Sequence, residues 1–294
     1  MNVEVDQSKE KIMKSLQGNT ALITGASRGV GTYIARTLAE KGMKLVLVAR
    51  SAGELQKVAA DLRSRGSQVV TIPADVEQSD QLYALVERAE AESGGIDVLV
   101  NNAALEIAYP YDQLAPETID QLIKVNLTAP MLLSRLFLAK MNKRGGGHIV
   151  NIASLLGLLG APYQEAYSAT KHGLVGFTRS LHMTAMSEGY PVGVSVICPG
   201  FISEVGMYNN SRQNTGLEAP FLLGTSPPDA VAKAVVRAVT RNEMEVIVNP
   251  KPVRPLLLTQ VFSPSLVVWF VRKVGVVNLF KGWSRYRLAE KSPG

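Results

Sequence analysis

The sequence predicts one α/β unit, a doubly wound parallel sheet of seven strands with helices on both faces, followed by an apolar and basic helical extension. Three observations predict it. Short apolar, β-prone runs alternate with helical stretches at the spacing of βαβ units. Those runs are apolar on both faces, as strands covered on both sides must be. A glycine-rich turn separates the first run from the first helix, where a sheet of this kind opens its ligand crevice.

Each element has a local reason. Residues 19–24 form the first apolar run, and residues 33–41 carry helical periodicity up to Gly42. Residues 44–49 read as the second strand. Ser51 and Glu54 have capping-box spacing and open a helix that stops at Gly66. Residues 68–72 are the third strand, and Ser79 is the expected cap of a helix ending at Gly94 and Gly95. Residues 97–101 are the fourth strand. Pro116 starts a long helix to about residue 143. Strands at 147–152 and 192–198 flank a helix over 163–188. Residues 199–226 read as loop, a helix begins at 226–229, and residues 245–248 complete the sheet. The expected organisation is an N-terminal extension (1–18), a main domain (19–250) and a tail (251–294).

Charge is unevenly placed. The chain carries +6 overall, yet residues 250–294 hold eight basic residues against one acid, Glu290. The tail is therefore +7 and the remainder about −1. A nucleic-acid binder needs its basic patch on the folded domain beside a recognition motif, and none is present, so no nucleic-acid partner is expected. The single cysteine, Cys198, excludes an intrachain disulfide and suits a reducing compartment. His148, His172 and His182 are scattered, so no metal site is expected. The charged N-terminus lacks the apolar core of a secretory signal.

Two patterns carry chemistry. The first is Thr24-Gly25-Ala26-Ser27-Arg28-Gly29-Val30-Gly31. Its glycines permit a tight turn and a close backbone approach to a pyrophosphate at a helix N-terminus. An acid at the end of the second strand would bind a ribose 2′-hydroxyl. Here Ala49 is followed by Arg50, and the loop adds Arg28. Two guanidiniums suit a 2′-phosphate, so the expected cofactor is NADP(H). The second pattern is Tyr167 and Lys171, four residues apart on one helix face. An ammonium near a phenol lowers its pKa, and a phenol so tuned can exchange a proton with an alcohol or ketone oxygen.

With these motifs in this order, the chain resembles the short-chain dehydrogenase/reductase family over residues 18–250. The resemblance implies a Rossmann-type fold and a hydride-transfer reaction between NADP(H) and a ketone or secondary alcohol. It implies a catalytic set of Asn126, Ser154, Tyr167 and Lys171. Ser154 polarises the carbonyl, Tyr167 passes the proton, Lys171 holds the nicotinamide ribose and Asn126 anchors a relay water. Cofactor contacts are implied at Gly25, Ser27, Arg28, Gly29, Val30 and Gly31, and at Arg50 and Ser51. Further contacts are implied at Asp75, Val76, Asn102, Ala103, Tyr167 and Lys171, and at Pro199, Gly200 and Ile202 after the sixth strand. Two positions depart from the family pattern: Ala104 replaces a glycine, and Glu204 stands where a threonine normally contacts the carboxamide, with Ser203 beside it. Family members are commonly dimers or tetramers, which implies a homodimer or homotetramer.

The expected substrate is a hydrophobic ketone or alcohol, steroid-, lipid- or acyl-like, against Leu155, Leu156, Phe201 and Met207, with the 106–111 loop closing a third side. A 3-oxoacyl-thioester reductase is the nearest alternative. A membrane-associated NADP-binding scaffold without turnover is a reading from another class. The tail reads as two short helices, the second starting at Ser263 and Pro264. It either roofs the pocket or lies on a membrane surface. The expected setting is cytoplasmic, with peripheral membrane contact through 251–294.

Overall fold

A computed structural model describes residue 13 and residues 15–291. Most of the expected N-terminal extension, and residues 292–294, lie outside the described residues.

Seven strands form one sheet: β1 (Thr20–Thr24), β2 (Lys44–Ala49), β3 (Val69–Pro73), β4 (Val98–Asn101), β5 (Gly147–Ile152), β6 (Val192–Pro199) and β7 (Glu245–Val248). Every pairing is parallel, in the order β3-β2-β1-β4-β5-β6-β7. The order reverses between β1 and β4, which opens the crevice at their C-terminal ends. This is the Rossmann-type sheet that the alternation predicts.

Alternate residues of each strand serve opposite faces. Ile23, Leu47, Val150 and Ile197 pack on the layer made by α1 (Val30–Glu40), α2 (Ala52–Ser64) and α8 (Pro228–Arg241). Their neighbours Leu22, Val46, Leu99 and Ile149 pack on α3 (Gln81–Ser93) and α5 (Ala129–Arg144). Each such fully buried aliphatic side chain contributes about 1.5–3 kcal/mol. The long helix expected from Pro116 is α4 (Pro116–Ile123), a π turn (Lys124–Thr128) and α5 in succession. It is long and apolar enough to cross a membrane. Leu122, Leu133 and Phe137 are nevertheless buried, so it is a core helix of the domain.

Several boundaries differ from expectation, each for a local reason. Ser79 does not cap α3, because residues 75–81 form successive turns started by Asp75, whose Oδ1 accepts from the Glu77 N–H at 3.0 Å. Ser51 Oγ does accept from the Glu54 N–H, at 3.4 Å, but the Glu54 carboxylate pairs with Lys57 at 2.7 Å instead of closing the box. Helix α6 begins at Glu165, after Tyr163 at φ 62°. The stretch read as loop contains α7 (Gly206–Thr215). Its sequence is too polar to show a helical stripe, and its buried Tyr208 packs on the tail. The tail has three helices where two were expected: α9 (Arg254–Phe262), α10 (Pro264–Lys273) and α11 (Val276–Lys291).

Candidate active site

The crevice at the C-terminal ends of β1 and β4 is held by polar side chains. Thr24 Oγ1 accepts from the N–H groups of Asn102 and Ala103, both at 3.0 Å. Asn102 Nδ2 donates to the carbonyls of Thr24 (2.9 Å) and Gly25 (3.2 Å). The glycine turn is thereby clamped to the end of β4. Asn101 Nδ2 donates to Asn151 Oδ1 at 2.8 Å, tying β4 to β5 inside the core.

This clamp leaves no room for a side chain at Gly25 or Gly31. Gly25 is at φ 67°, and a Cβ there would lie 2.9 Å from the Ala103 Cα. At Gly31 a Cβ would meet the Gly25 carbonyl at 2.3 Å. Gly29, at φ 61°, caps α1 with its backbone alone and faces Gly206 at the start of α7. The result is a backbone cradle at a helix N-terminus, which fits a pyrophosphate. Ser27, Arg28, Val30, Arg50, Ser51 and Asp75 continue the same wall, with Val76, Asn102 and Ala103 beyond. Gly31 stands behind the wall, packed under the turn. Arg50 lies 3.9 Å from Asp75, a loose pair that leaves its guanidinium half exposed. The Glu54 carboxylate, a second acid on this wall, pairs with Lys57 at 2.7 Å. The donor set therefore fits a dinucleotide with a phosphorylated adenosine ribose.

A second group converges from β5 and α6 (Glu165–Ser187). Ser154 ends β5 and starts a 3₁₀ turn, Leu155–Gly157. Gly157 lets that turn rest on α6: a Cβ there would lie 2.7 Å from the Lys171 carbonyl. Ser154 Oγ accepts from the Leu156 N–H at 3.1 Å, so its own proton is free to be donated. Tyr167 is buried, and Lys171 is only 1% exposed. The Lys171 ammonium donates to the Ile152 carbonyl at 3.0 Å and lies 5.7 Å from the Tyr167 ring centre.

The electrostatics differ from the sequence-based expectation. Burial raises the Tyr167 pKa above the usual phenol range, and the Glu106 carboxylate adds to the rise. The hydrogen bond with Ser154 pulls the other way. Burial lowers Lys171 to about 8. The lysine alone does not bring the phenol's pKa toward neutrality; desolvation of the phenolate is the largest influence on it. Tyr167 is therefore protonated at neutral pH. Asn126, expected to anchor a water, sits in the π turn with its side chain fully engaged. Its Oδ1 accepts from Leu105 N–H (2.8 Å), and its Nδ2 donates to the Leu105 carbonyl (2.8 Å) and to Thr170 Oγ1 (3.2 Å). Thr170 Oγ1 in turn donates to the Tyr167 carbonyl at 2.8 Å. Asn126 thus joins the loop after β4 to the helix carrying Tyr167.

Both groups face one cavity of about 660 Å³. Pro199, Gly200 and Ile202 from the end of β6 line it, as do Leu155, Leu156, Phe201 and Met207. Leu155 and Leu159 also pack on Val253 and Val267 of the tail, while Leu158 is absent from the cavity wall. Ser203 does not reach the cavity; its hydroxyl donates to the Ser226 carbonyl at 3.3 Å. Glu204 does line it, on a backbone at φ 67° that costs a non-glycine residue about 1–3 kcal/mol. Of the 106–111 loop, Glu106 lines the cavity and Tyr111 is exposed.

Two contributions were anticipated only as segments, the tail as one of two placements and the 106–111 loop as a third side, without the residues that make them. Leu256, Phe270, Val274, Phe280 and Trp283 bring the tail into the wall. Phe280 and Trp283 stack edge-on at 5.0 Å and pack with Phe201 and Tyr208. Spacing of large apolar residues in α11 was the available signal, but its partner surface was not visible. The other is Glu106, half-buried on the wall, whose Oε1 accepts from Gln164 Nε2 at 2.8 Å. Burial raises its pKa to about 7, against the opposing pull of Arg287 from α11, of that Gln164 bond and of Lys171.

Comparison with known proteins agrees with this geometry. Residues 19–216 match the family model for short chain dehydrogenases. The chain belongs to the short-chain dehydrogenase/reductase family. Among curated members of that family, a ketoacyl reductase (HetN) of Nostoc sp. strain PCC 7120 is 41% identical over 90% of this chain and 92% of its own length. A metagenomic short-chain oxidoreductase solved with NADP is 33% identical, with a TM-score of 0.67 over 80% of this chain and 99% of its own. A Burkholderia phymatum family member solved with NAD has a TM-score of 0.77 at 26% identity, over 86% of this chain and 96% of its own. The chain is an oxidoreductase of this family.

Glu106 makes a prediction about pH. Unfolded, its carboxyl titrates near 4.5; folded, near 7. Between those values the native state holds a proton that the unfolded chain has released, so stability falls as pH rises through this window. Thermal melts of Glu106→Gln should match the parent near pH 4 and exceed it increasingly up to about pH 7, where the gap levels off. A gap independent of pH would contradict the assignment.

Proposed function

We propose that this protein is an NADP(H)-dependent oxidoreductase that interconverts a hydrophobic ketone and its secondary alcohol. One observation carries the reading: a buried neutral phenol, Tyr167, meets the Ser154 hydroxyl on the wall of an apolar cavity. Tyr167 donates its proton to the carbonyl oxygen, and Ser154 donates a second hydrogen bond to the same oxygen. NADP(H), held by Gly25, Ser27, Arg28, Gly29, Val30 and Arg50, supplies or takes the hydride. Lys171 keeps two N–H donors beyond the Ile152 carbonyl, which suits ribose hydroxyls. Tyr167 is in the protonated form that donates to a carbonyl oxygen at neutral pH.

Arg28 and Arg50, with no acid at Ala49, support NADP(H) over NAD(H). The Nostoc relative's name, ketoacyl reductase, supports a 3-oxoacyl thioester as the second candidate substrate class. A steroid- or lipid-like ketone is favoured by the aromatic and aliphatic wall. Intact Ser154, Tyr167 and Lys171 count against a scaffold without turnover. The single buried Cys198, its thiol pushed up to about 12 by burial, supports a reducing, cytoplasmic setting. The basic, apolar tail supports peripheral membrane contact through 251–294. Exposed Ile123 and Met131 on α4 and α5, and Met183 and Met186 on α6, support a homodimer or homotetramer through the sheet-flanking helices.

Tyr167→Phe should lower kcat for ketone reduction by roughly 10²- to 10⁴-fold while NADPH binding, followed by fluorescence titration, is nearly unchanged. Retained turnover would remove Tyr167 from the mechanism; a parent enzyme that binds NADPH but reduces no apolar ketone or acyl thioester would favour the scaffold. Arg50→Ala should raise KM for NADPH roughly tenfold or more and leave KM for NADH little changed. Equal effects on both would count against a 2′-phosphate contact. Light scattering on the purified chain should give two or four copies, and a monomer would refute the assembly.

A further inference from the structure

The α9–α10 segment has two apolar faces. Its inner face belongs to the domain: Val253 and Val267 are buried with Leu155 and Leu159, and Leu256 and Phe270 line the substrate cavity. Its outer face is apolar as well. Leu258, Leu266, Val268 and Trp269 are at least half exposed, and Val261 and Phe262, at the turn between the helices, are 76% and 86% exposed. A surface helix of a water-soluble domain carries polar residues there. No charged residue occurs from Pro255 to Val271.

The charges gather at the other end. Leu256 near the start of α9 and Phe270 near the end of α10 reach the same cavity, so the outer ends of both helices return to the domain. Lys251 and Arg254 stand at one of these ends, and Arg272 and Lys273 at the other, all exposed. Exposed Phe221 joins this base, with the Lys251 ammonium 5.4 Å from its ring centre. Nine or ten helical residues place the apolar tip about 14 Å from the basic base. That is the spacing of a segment whose tip lies among acyl chains and whose cations lie at the phosphates. A second copy of this chain fits the patch less well. A two-fold contact pairs the patch with itself, and residues 251–275 contain no acid to pair with its four cations.

We infer that the α9–α10 hairpin inserts its tip, centred on Val261 and Phe262, into one leaflet of an anionic bilayer. The inner face of the same hairpin walls the cavity, so the substrate is a lipid-partitioned ketone that enters from the membrane side. This rests on the peripheral-contact reading of the tail and narrows it from the whole basic segment to one inserted element.

The test is flotation of the full-length chain with phosphatidylcholine vesicles and with phosphatidylcholine–phosphatidylglycerol vesicles. The parent should float with the second, and its fluorescence should shift to the blue, because Trp269 becomes dry while Trp283 is already buried. The double variant Val261→Asp, Phe262→Asp should bind at least roughly tenfold more weakly and keep its turnover of a water-dispersed ketone, since neither residue lines the cavity. Arg254→Gln with Lys273→Gln should weaken binding roughly fivefold per charge and only to the anionic vesicles. If the parent floats and the tip variant floats equally, insertion is refuted while peripheral contact through the basic residues stands. If the parent does not float, both readings fall. If the parent stays in solution and the tip variant loses a subunit by light scattering, the occupant is a second copy and the lipid assignment is overturned.

Discussion

The structure around the site depends on keeping Lys171 dry. An ammonium in that position loses its hydration, and its pKa falls to about 8. One buried carbonyl, that of Ile152 at the end of β5, receives it. That contact brings α6 onto the strand end, and Gly157 is what permits the approach. Ser154 and Tyr167 then face the same space, because the turn holding one rests on the helix holding the other. The dryness that lowers the lysine's pKa also raises that of the phenol.

A second constraint sets where this pair can act. The sheet order reverses at β1 and β4, and the ends of these strands need polar partners for groups no longer in the ladder. Thr24, Asn101 and Asn102 supply them. Their bonds fix the glycine turn so closely that the Cβ positions of Gly25 and Gly31 are filled by backbone. Three residues along the chain from Asn102, Leu105 bonds to Asn126, which bonds through Thr170 to the backbone of Tyr167. The glycine turn and the helix carrying Tyr167 are thus both tied to the segment that follows β4.

The tail gives the cavity its third side. Phe280 and Trp283 of α11 lean on Phe201 and Tyr208, and Arg287 of the same helix opposes the ionisation penalty of Glu106. Movement of the tail would change both the apolar wall and the field at Tyr167. Access and proton affinity are therefore properties of one surface. A carboxyl that titrates near neutrality between them makes the site's electrostatics sensitive to how that surface packs.

Much of this was legible before any coordinates. Alternating buried runs determined the sheet, because only strands covered on both faces are apolar throughout. The glycine spacing, Ala49-Arg50 and the Tyr167–Lys171 pair were legible because their chemistry depends on short-range spacing along one element, whereas Ser154 was legible only through the family resemblance. Asn126 was legible as a position, but its side-chain partners were not, since Leu105 and Thr170 are remote in sequence. Helix α7 and the third tail helix were missed because their stability comes from contact with each other, not from periodicity. The raised pKa values of Tyr167 and Glu106 were missed for a related reason. Desolvation depends on everything packed around a group, and here that includes a tail more than a hundred residues away in the chain. The sequence determined which groups could react; only the packed structure decided how dry they are, and so which way the proton is held.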